Sequence, residues 1–330
     1  MFKSNLCGLL LLILSIPALA NSSQDYESAI SAYNSSDYKA AYIHLKNSLQ
    51  KDPDNLPAKI LMGKLLLKNT YFEEAETEFN EALELGADIN LVIEPLGNSL
   101  LFQRKYEDIF NFNYKGNLSR EVGFKWILIK TAAYMKLKKY PEAKQGYIEA
   151  LQLYPNNIEA LNSFASLEIT LNNLDSAEAL ITRGLQVDNE DSRAWHLKGE
   201  VAKTQGDFDS AQTLLEHAIQ LDSQDPLIKR SLVNVYITTK NYAAAQELIE
   251  LILNQTPEDP MALLLSSWLL SENEQNVEAS KQLESLSNKI SNISSETLLN
   301  EPTLLYISAL SFYTSNKLEQ ASTQFAQYII

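Results

Sequence analysis

One periodicity constrains this chain before anything else does. Ala41, Ala75, Ala143, Ala177, Ala211, Ala245 and Ala279 are all separated by 34 residues or a multiple of 34, with Ile109 in the one missing slot. Ala321 continues the series after a longer step of 42. A second small column runs through Ala29, Gly63, Gly97, Ala165, Gly199, Ser267 and Ala309. A bulky column precedes each alanine by three: Tyr38, Phe72, Tyr106, Tyr140, Leu174, Phe208, Tyr242 and Leu318. A fourth, often small, follows it by seven at Ser48, Ala82, Ala150, Gly184 and Ala218. Self-similarity at this period marks a stack of repeats, each too small to bury its apolar face alone.

The columns resemble the tetratricopeptide repeat (TPR), and Ala194 to Asp222, AWHLKGEVAKTQGDFDSAQTLLEHAIQLD, carries the match best. The resemblance implies an all-α TPR α-solenoid, a right-handed superhelix of helix–turn–helix pairs with a concave inner face. It spans residues 22–330 in about nine units, starting near 22, 56, 90, 124, 158, 192, 226, 260 and 302. Local signals agree. Asp225-Pro226 and Asp259-Pro260 are helix starts, with Asp as N-cap and Pro in the first turn. Pro53, Pro155 and Pro257 close second helices, because proline cannot continue them. Gly206-Asp207 and Ser36-Asp37 mark the turn between the two helices of a unit. The third unit is degenerate after Tyr106, where FNFNYKGNLSREVG predicts a shortened or bent second helix. The eighth carries an insertion near 287–300, inside SLSNKISNISSETLLNE.

Residues 1–20, MFKSNLCGLLLLILSIPALA, read as a signal peptide. Lys3 gives a basic start, Leu6 to Ile16 an apolar run, and Ala18-Leu19-Ala20 a small-residue cleavage site. The apolar run is short of the roughly 20 residues that a spanning helix needs. Export to the periplasm of a Gram-negative cell is therefore expected, with no transmembrane segment after cleavage. The single cysteine, Cys7, lies in the leader, so the mature chain has neither disulfide nor thiolate metal site.

Catalytic chemistry has no foothold, and neither an enzyme nor a cofactor is expected. His44, His196 and His217 are scattered over the units, without carboxylate or thiolate at metal-ligand spacing. His196 and Glu200, four apart on one helix, read as a solvated side-chain pair. Asp188-Asn189-Glu190-Asp191 lacks the glycine and spacing of a calcium loop and reads as a turn. With 42 acidic and 27 basic side chains the formal charge is −15, which argues against nucleic acid as a partner.

A narrower resemblance covers the first 110 residues. YNSSDYKAAYIHLKNSLQKDPDNLPAKILMGKLLL, then EEAETEFNEALELGADINLVIEPLGNSLLFQRKYEDI, look like the start of the TPR proteins of the PEP-CTERM/exosortase system, the PrsT type. The run Ile43 to Gln50 and the Gly86-Ala87-Asp88 closure carry it. That resemblance implies an exported protein-binding scaffold in exopolysaccharide export and PEP-CTERM protein sorting. The alternatives are a general envelope assembly factor for outer-membrane proteins or pili, and a non-catalytic part of a longer enzyme or complex.

In the TPR family the first helix of each unit lines the groove, chiefly through its second, fifth, ninth, twelfth and thirteenth positions. Carried onto units two to seven, those positions include seven bases, Lys64, Lys68, Lys125, Lys136, Arg193, Lys203 and Arg230. They include only three acids, Glu94, Glu159 and Glu200. Asn98, Asn162, Ser166, His196 and Asn234 add polar groups. A face rich in bases on an acidic chain predicts an acidic peptide or protein, or an anionic polysaccharide, as the ligand. Arg230 and Asn234 occupy two positions of a carboxylate clamp, but Leu265 stands at the next, so no C-terminal carboxylate is expected.

Overall fold

The computed structural model describes residues 22–290, 293, 298, 302–314 and 316–329. The leader, with its cleavage site, and most of the 287–300 insertion lie outside the described residues. The described chain is helical with no strand among those residues, and it divides at Phe164/Ala165 into an N-terminal and a C-terminal compact unit.

In the N-terminal unit the helices are α1 (22–34), α2 (Tyr38–Lys51), α3 (Leu56–Lys68), α4 (Phe72–Glu84), α5 (Ile89–Phe102), α6 (Tyr106–Asn111), α7 (Arg120–Lys136) and α8 (Tyr140–Leu153). The division falls within α9 (Ile158–Thr170). The C-terminal unit continues with α10 (Leu174–Val187), α11 (Ser192–Thr204), α12 (Phe208–Leu221), α13 (Pro226–Thr238), α14 (Tyr242–Gln255), α15 (Pro260–Glu272), α16 (Asn276–Ile290), α17 (Pro302–Thr314) and α18 (Leu318–Ile329). Odd-numbered helices open a repeat and even-numbered ones close it.

The alanine column is the seam of each pair. Every member is at most 3% exposed, and Ile109 fills its slot at 1%. The small column explains how close the helices come. A Cβ at Gly63 would stand 2.6 Å from the Phe79 ring, and one at Gly199 would stand 2.7 Å from Leu215. The bulky column reaches the next repeat: Phe72 stacks on Phe102 at 4.9 Å, and Tyr242 meets Trp268 edge-on at 5.7 Å.

Each turn within a pair follows one hydrogen-bond pattern. The Asp37 N–H donates to the Ala32 carbonyl (2.9 Å), Tyr71 N–H to Leu66 (2.9 Å) and Asp207 N–H to Ala202 (3.0 Å), a six-to-one closure that needs one left-handed residue. That residue recurs every 34 positions through Ser36, Thr70, Arg104, Lys138, Asn172, Gly206, Lys240 and Glu274, all at positive φ. Only Gly206 is free of the Cβ penalty there. Helix starts are capped as expected, Asp225 by accepting from Leu227 N–H and Asp259 from Ala262 N–H.

The third repeat is shortened, as its sequence implies: α6 has 6 residues where its counterparts have 12 to 15. Trp126 of α7 covers Gly97 in place of the missing second-helix residue, 2.6 Å from where a Cβ would stand. The expected start of the fourth unit near 124 is corrected by four residues. Ser119 accepts from the Val122 N–H and caps α7 at Arg120, so the REVG stretch is the helix's first turn rather than loop.

Candidate functional site

The expected groove residues fall in both compact units. In the N-terminal unit, Lys64 and Lys68 are the ninth and thirteenth residues of α3, on its exposed side away from Phe79. Asn98 comes from α5. The structure brings these three together around a cleft of about 410 Å³, whose wall also includes Tyr33, Leu67, Leu91, Glu94 and Pro95.

Among the described residues, the Lys64 ammonium and the Asn98 amide make no hydrogen bond or ion pair. The Lys68 ammonium stands 5.0 Å from the centre of the Tyr38 ring. Bonding to Tyr38 holds its pKa above the ordinary lysine value, so it stays charged. Asn90, also on the wall, is spent on structure: its amide donates to Asp88 and to the Asn117 carbonyl, and its oxygen accepts from the Ser119 N–H. Glu94, likewise on the wall, pairs with the Lys125 ammonium at 3.0 Å, an ion pair that Lys125 shares with Glu121.

Other expected residues are taken by neighbours. Lys125 bridges Glu94 and Glu121, and the bond to Glu94 pushes its pKa up. Lys136 is exposed at the end of α7, outside the cleft. Asn162 is corrected: at 1% exposure it lies inside the protein and presents nothing to a ligand.

In the C-terminal unit, Arg230 is not a free cation. It pairs with Asp259, a buried carboxylate whose other oxygen caps α15, so the arginine holds α13 to the next repeat. Lys203 is bonded to both oxygens of Glu200 at 2.6 Å. The His196–Glu200 pair is not solvated, which corrects the reading from spacing. The His196 side chain is 16% exposed and its Nε2 is 2.8 Å from the Ser231 hydroxyl of α13, with Glu200 at 3.8 Å. Burial lowers the His196 pKa and outweighs the opposite pull of Glu200. Arg193 and Asn234 are exposed.

Sequence reasoning missed Tyr33 and Pro95, and a proline in the middle of a helical window was the available signal for the latter; Leu91 stands at a second position of its unit, which the register placed on the groove. Among the described residues, no cluster of His, Cys, Asp and Glu is arranged to hold a metal, and no helix is long and apolar enough to cross a membrane.

A family model for the tetratricopeptide repeat matches residues 22–91, 134–201 and 202–269, more than half of the chain. The chain belongs to the tetratricopeptide repeat family. TPR proteins bind other proteins, and an open polar cleft on the first helices suits that role. No curated protein matches the sequence. Many solved structures share the fold, three of them as follows. A tetratricopeptide repeat protein from Parabacteroides merdae is 16% identical with a TM-score of 0.53, over 89% of this chain and 99% of that one. Pseudomonas aeruginosa pilF is 17% identical with a TM-score of 0.52, over 63% of this chain and 95% of that one. PilW, described as a widely conserved type IV pilus biogenesis factor, is 16% identical with a TM-score of 0.53, over 65% and 97%. At these identities the likeness is one of fold.

Proposed function

We propose that this TPR protein is an exported, non-catalytic interaction scaffold of the bacterial envelope that captures acidic segments of its partners. The observation that carries the binding reading is the Lys64–Lys68–Asn98 cleft, a cationic site on a chain of net charge −15. Long-range repulsion from the rest of the chain disfavours anions elsewhere on the surface, so local cations decide where one docks. An anionic polysaccharide offers the same charge, and the partner's chemistry separates the two. Placement in the periplasm rests on the leader at residues 1–20, and the exopolysaccharide and PEP-CTERM context on the resemblance of the first 110 residues.

A photo-crosslinking amino acid at Asn98, with Glu81 as an off-site control, tests the reading in cells. Capture from position 98 alone of an acidic segment belonging to the polysaccharide-export or sorting machinery supports it. A second reading, an assembly factor for pili or outer-membrane proteins, shares its fold with pilF and PilW. Crosslinks to pilins or outer-membrane proteins favour that reading, as does a gene neighbourhood of pilus genes in place of glycosyltransferases and an exosortase.

A further inference from the structure

α2 differs from every other helix that closes a repeat. It contains three lysines and no acid, where each of its counterparts contains at least one acid. Lys51 is paired with Asp25 at 2.6 Å. Among the described residues, Lys39 and Lys46 make no hydrogen bond or ion pair. Ala41, Leu45 and Ser48 turn the opposite face inward. Lys39, Ile43, Lys46 and Gln50, at helical spacing, form one outer stripe, and Tyr42 flanks it. All five are exposed, Ile43 by 50% and Tyr42 by 44%. Two cations about 10 Å apart along the helix therefore bracket an aliphatic and an aromatic side chain.

We infer that this face of α2 docks on an anionic phospholipid surface. Lys39 and Lys46 take lipid phosphates, and Ile43 and Tyr42 enter the headgroup layer between them. Lysine stems lie along apolar matter while their heads reach the phosphates. Tyrosine, with an apolar ring and a polar tip, suits the same layer.

Three observations favour lipid over protein. Lysine is depleted at protein–protein interfaces, and two apolar side chains fall short of the roughly 800 Å² that each partner buries in a stable one. The attraction also ends at α2. The next closing helix, α4, carries six glutamates and no base, so an anionic surface meets the first repeat and leaves the second. Lastly, Ser22 is 1% exposed and its hydroxyl is 3.0 Å from that of Ser48, which fixes the start of α1 beside the Lys46 end of the stripe. On the export reading above, a leader ending at residue 20 stands within about 7 Å of chain from Ser22, so the precursor presents α2 to the bilayer it crosses. The setting rests on that reading, and the docking face rests on α2 itself.

Flotation of residues 21–330 with vesicles tests this, the leader being left off because it is itself apolar. Vesicles of equal parts phosphatidylglycerol and phosphatidylcholine are compared with pure phosphatidylcholine at low salt. The expected result is binding to the anionic vesicles alone, weakened by added salt. A Lys39→Gln, Lys46→Gln variant of unchanged helicity binds them roughly thirtyfold more weakly, the weight of two lysines near an anionic surface. It still captures polyglutamate in the cleft, so this inference and the cleft reading fail separately. Residues 21–330 hold no cysteine, so an environment-sensitive dye on Ile43→Cys reports on this face alone, with Thr77→Cys on α4 as control. A blue shift at 43 and none at 77 supports docking through α2. No binding of the wild type to anionic vesicles, undiminished binding by the double variant, or a dye at 43 silent to bound vesicles overturns it. A dye at 43 that answers polyglutamate and not vesicles overturns it in favour of an acidic protein as partner.

Discussion

The Lys68 ammonium lies over the ring of Tyr38, 5.0 Å from its centre and one repeat back in the chain. Tyr38 belongs to the bulky column and Lys68 to the last turn of α3, so one contact joins the stacking of repeats to the cleft. A cation above an aromatic face keeps its charge while its position is fixed. Lys68→Arg is expected to preserve both the ring contact and anion binding, because guanidinium stacks on aromatic faces. Lys68→Met is expected to keep the packing, with a stability change below about 1 kcal/mol, and to weaken capture of an acidic peptide. Thermal melts and anisotropy on the two variants check the pair.

The alanine seam sets a second expectation. Ala177 and Ala211 have no exposed surface and face a partner helix within their pair. Ala177→Leu or Ala211→Leu overpacks that crossing and costs about 1–3 kcal/mol. Denaturant unfolding measures it, and unchanged midpoints in both would contradict the seam.

The left-handed turn positions make an opposite prediction. Thr70 holds φ at 65° with a β-branched side chain, a conformation that costs an L-residue about 1–2 kcal/mol. Thr70→Gly relieves that cost against a greater loss of unfolded-chain entropy, for a net gain of about 0.5–1 kcal/mol. Gly206→Ala, at φ 82° with open space around it, loses about 1 kcal/mol through backbone strain alone. Opposite shifts of the two melting temperatures are the expected outcome.

The repeat was legible in the sequence because its columns are packing constraints. A seam that elsewhere admits only a methyl group writes Ala into every unit but the shortened third, where Ile109 stands, and a crossing against Phe79 or Leu215 writes Gly opposite. The left-handed turns were not legible, because most of those positions carry Ser, Thr, Lys, Asn or Glu, and hydrogen bonding by the flanking helices imposes the conformation. The cleft was legible in part. Register placed Lys64, Lys68 and Asn98 on one face, and they meet there. Register alone cannot tell which bases are already neutralised. Arg230 has an acid in the next repeat, Lys125 has acids in its own helix and in α5, and Lys203 has one three residues back. Asn162 is buried at 1% exposure, and His196 at the matching position of its helix is itself largely buried against Ser231, so that position does not reliably face a ligand.

His196 gives the C-terminal unit a pH dependence. Burial lowers its pKa in the folded chain below the ordinary 6.5, while Glu200 and Asp225 oppose the shift and Lys203 and Arg193 reinforce it. A depressed folded pKa means that the unfolded chain binds the proton more readily. The contribution to stability is present above the unfolded pKa and is lost as pH falls through the folded one. The wild type is expected to lose more stability than His196→Asn between about pH 7.5 and about pH 5.5, the range in which histidine titrates. Urea midpoints at the two pH values for both proteins measure the difference. Parallel losses would remove His196 as the cause.

The central claim is that a chain of net charge −15 captures anions at Lys64 and Lys68. Bulk charge alone favours a polycation, so fluorescence anisotropy with labelled polyglutamate and labelled polylysine is the direct measurement. The account predicts saturable binding of polyglutamate at low salt, weakened by added salt as screening sets in, and abolished in a Lys64→Glu, Lys68→Glu variant of unchanged helicity. Failure of the wild type to bind polyglutamate, or undiminished binding by the variant, contradicts it.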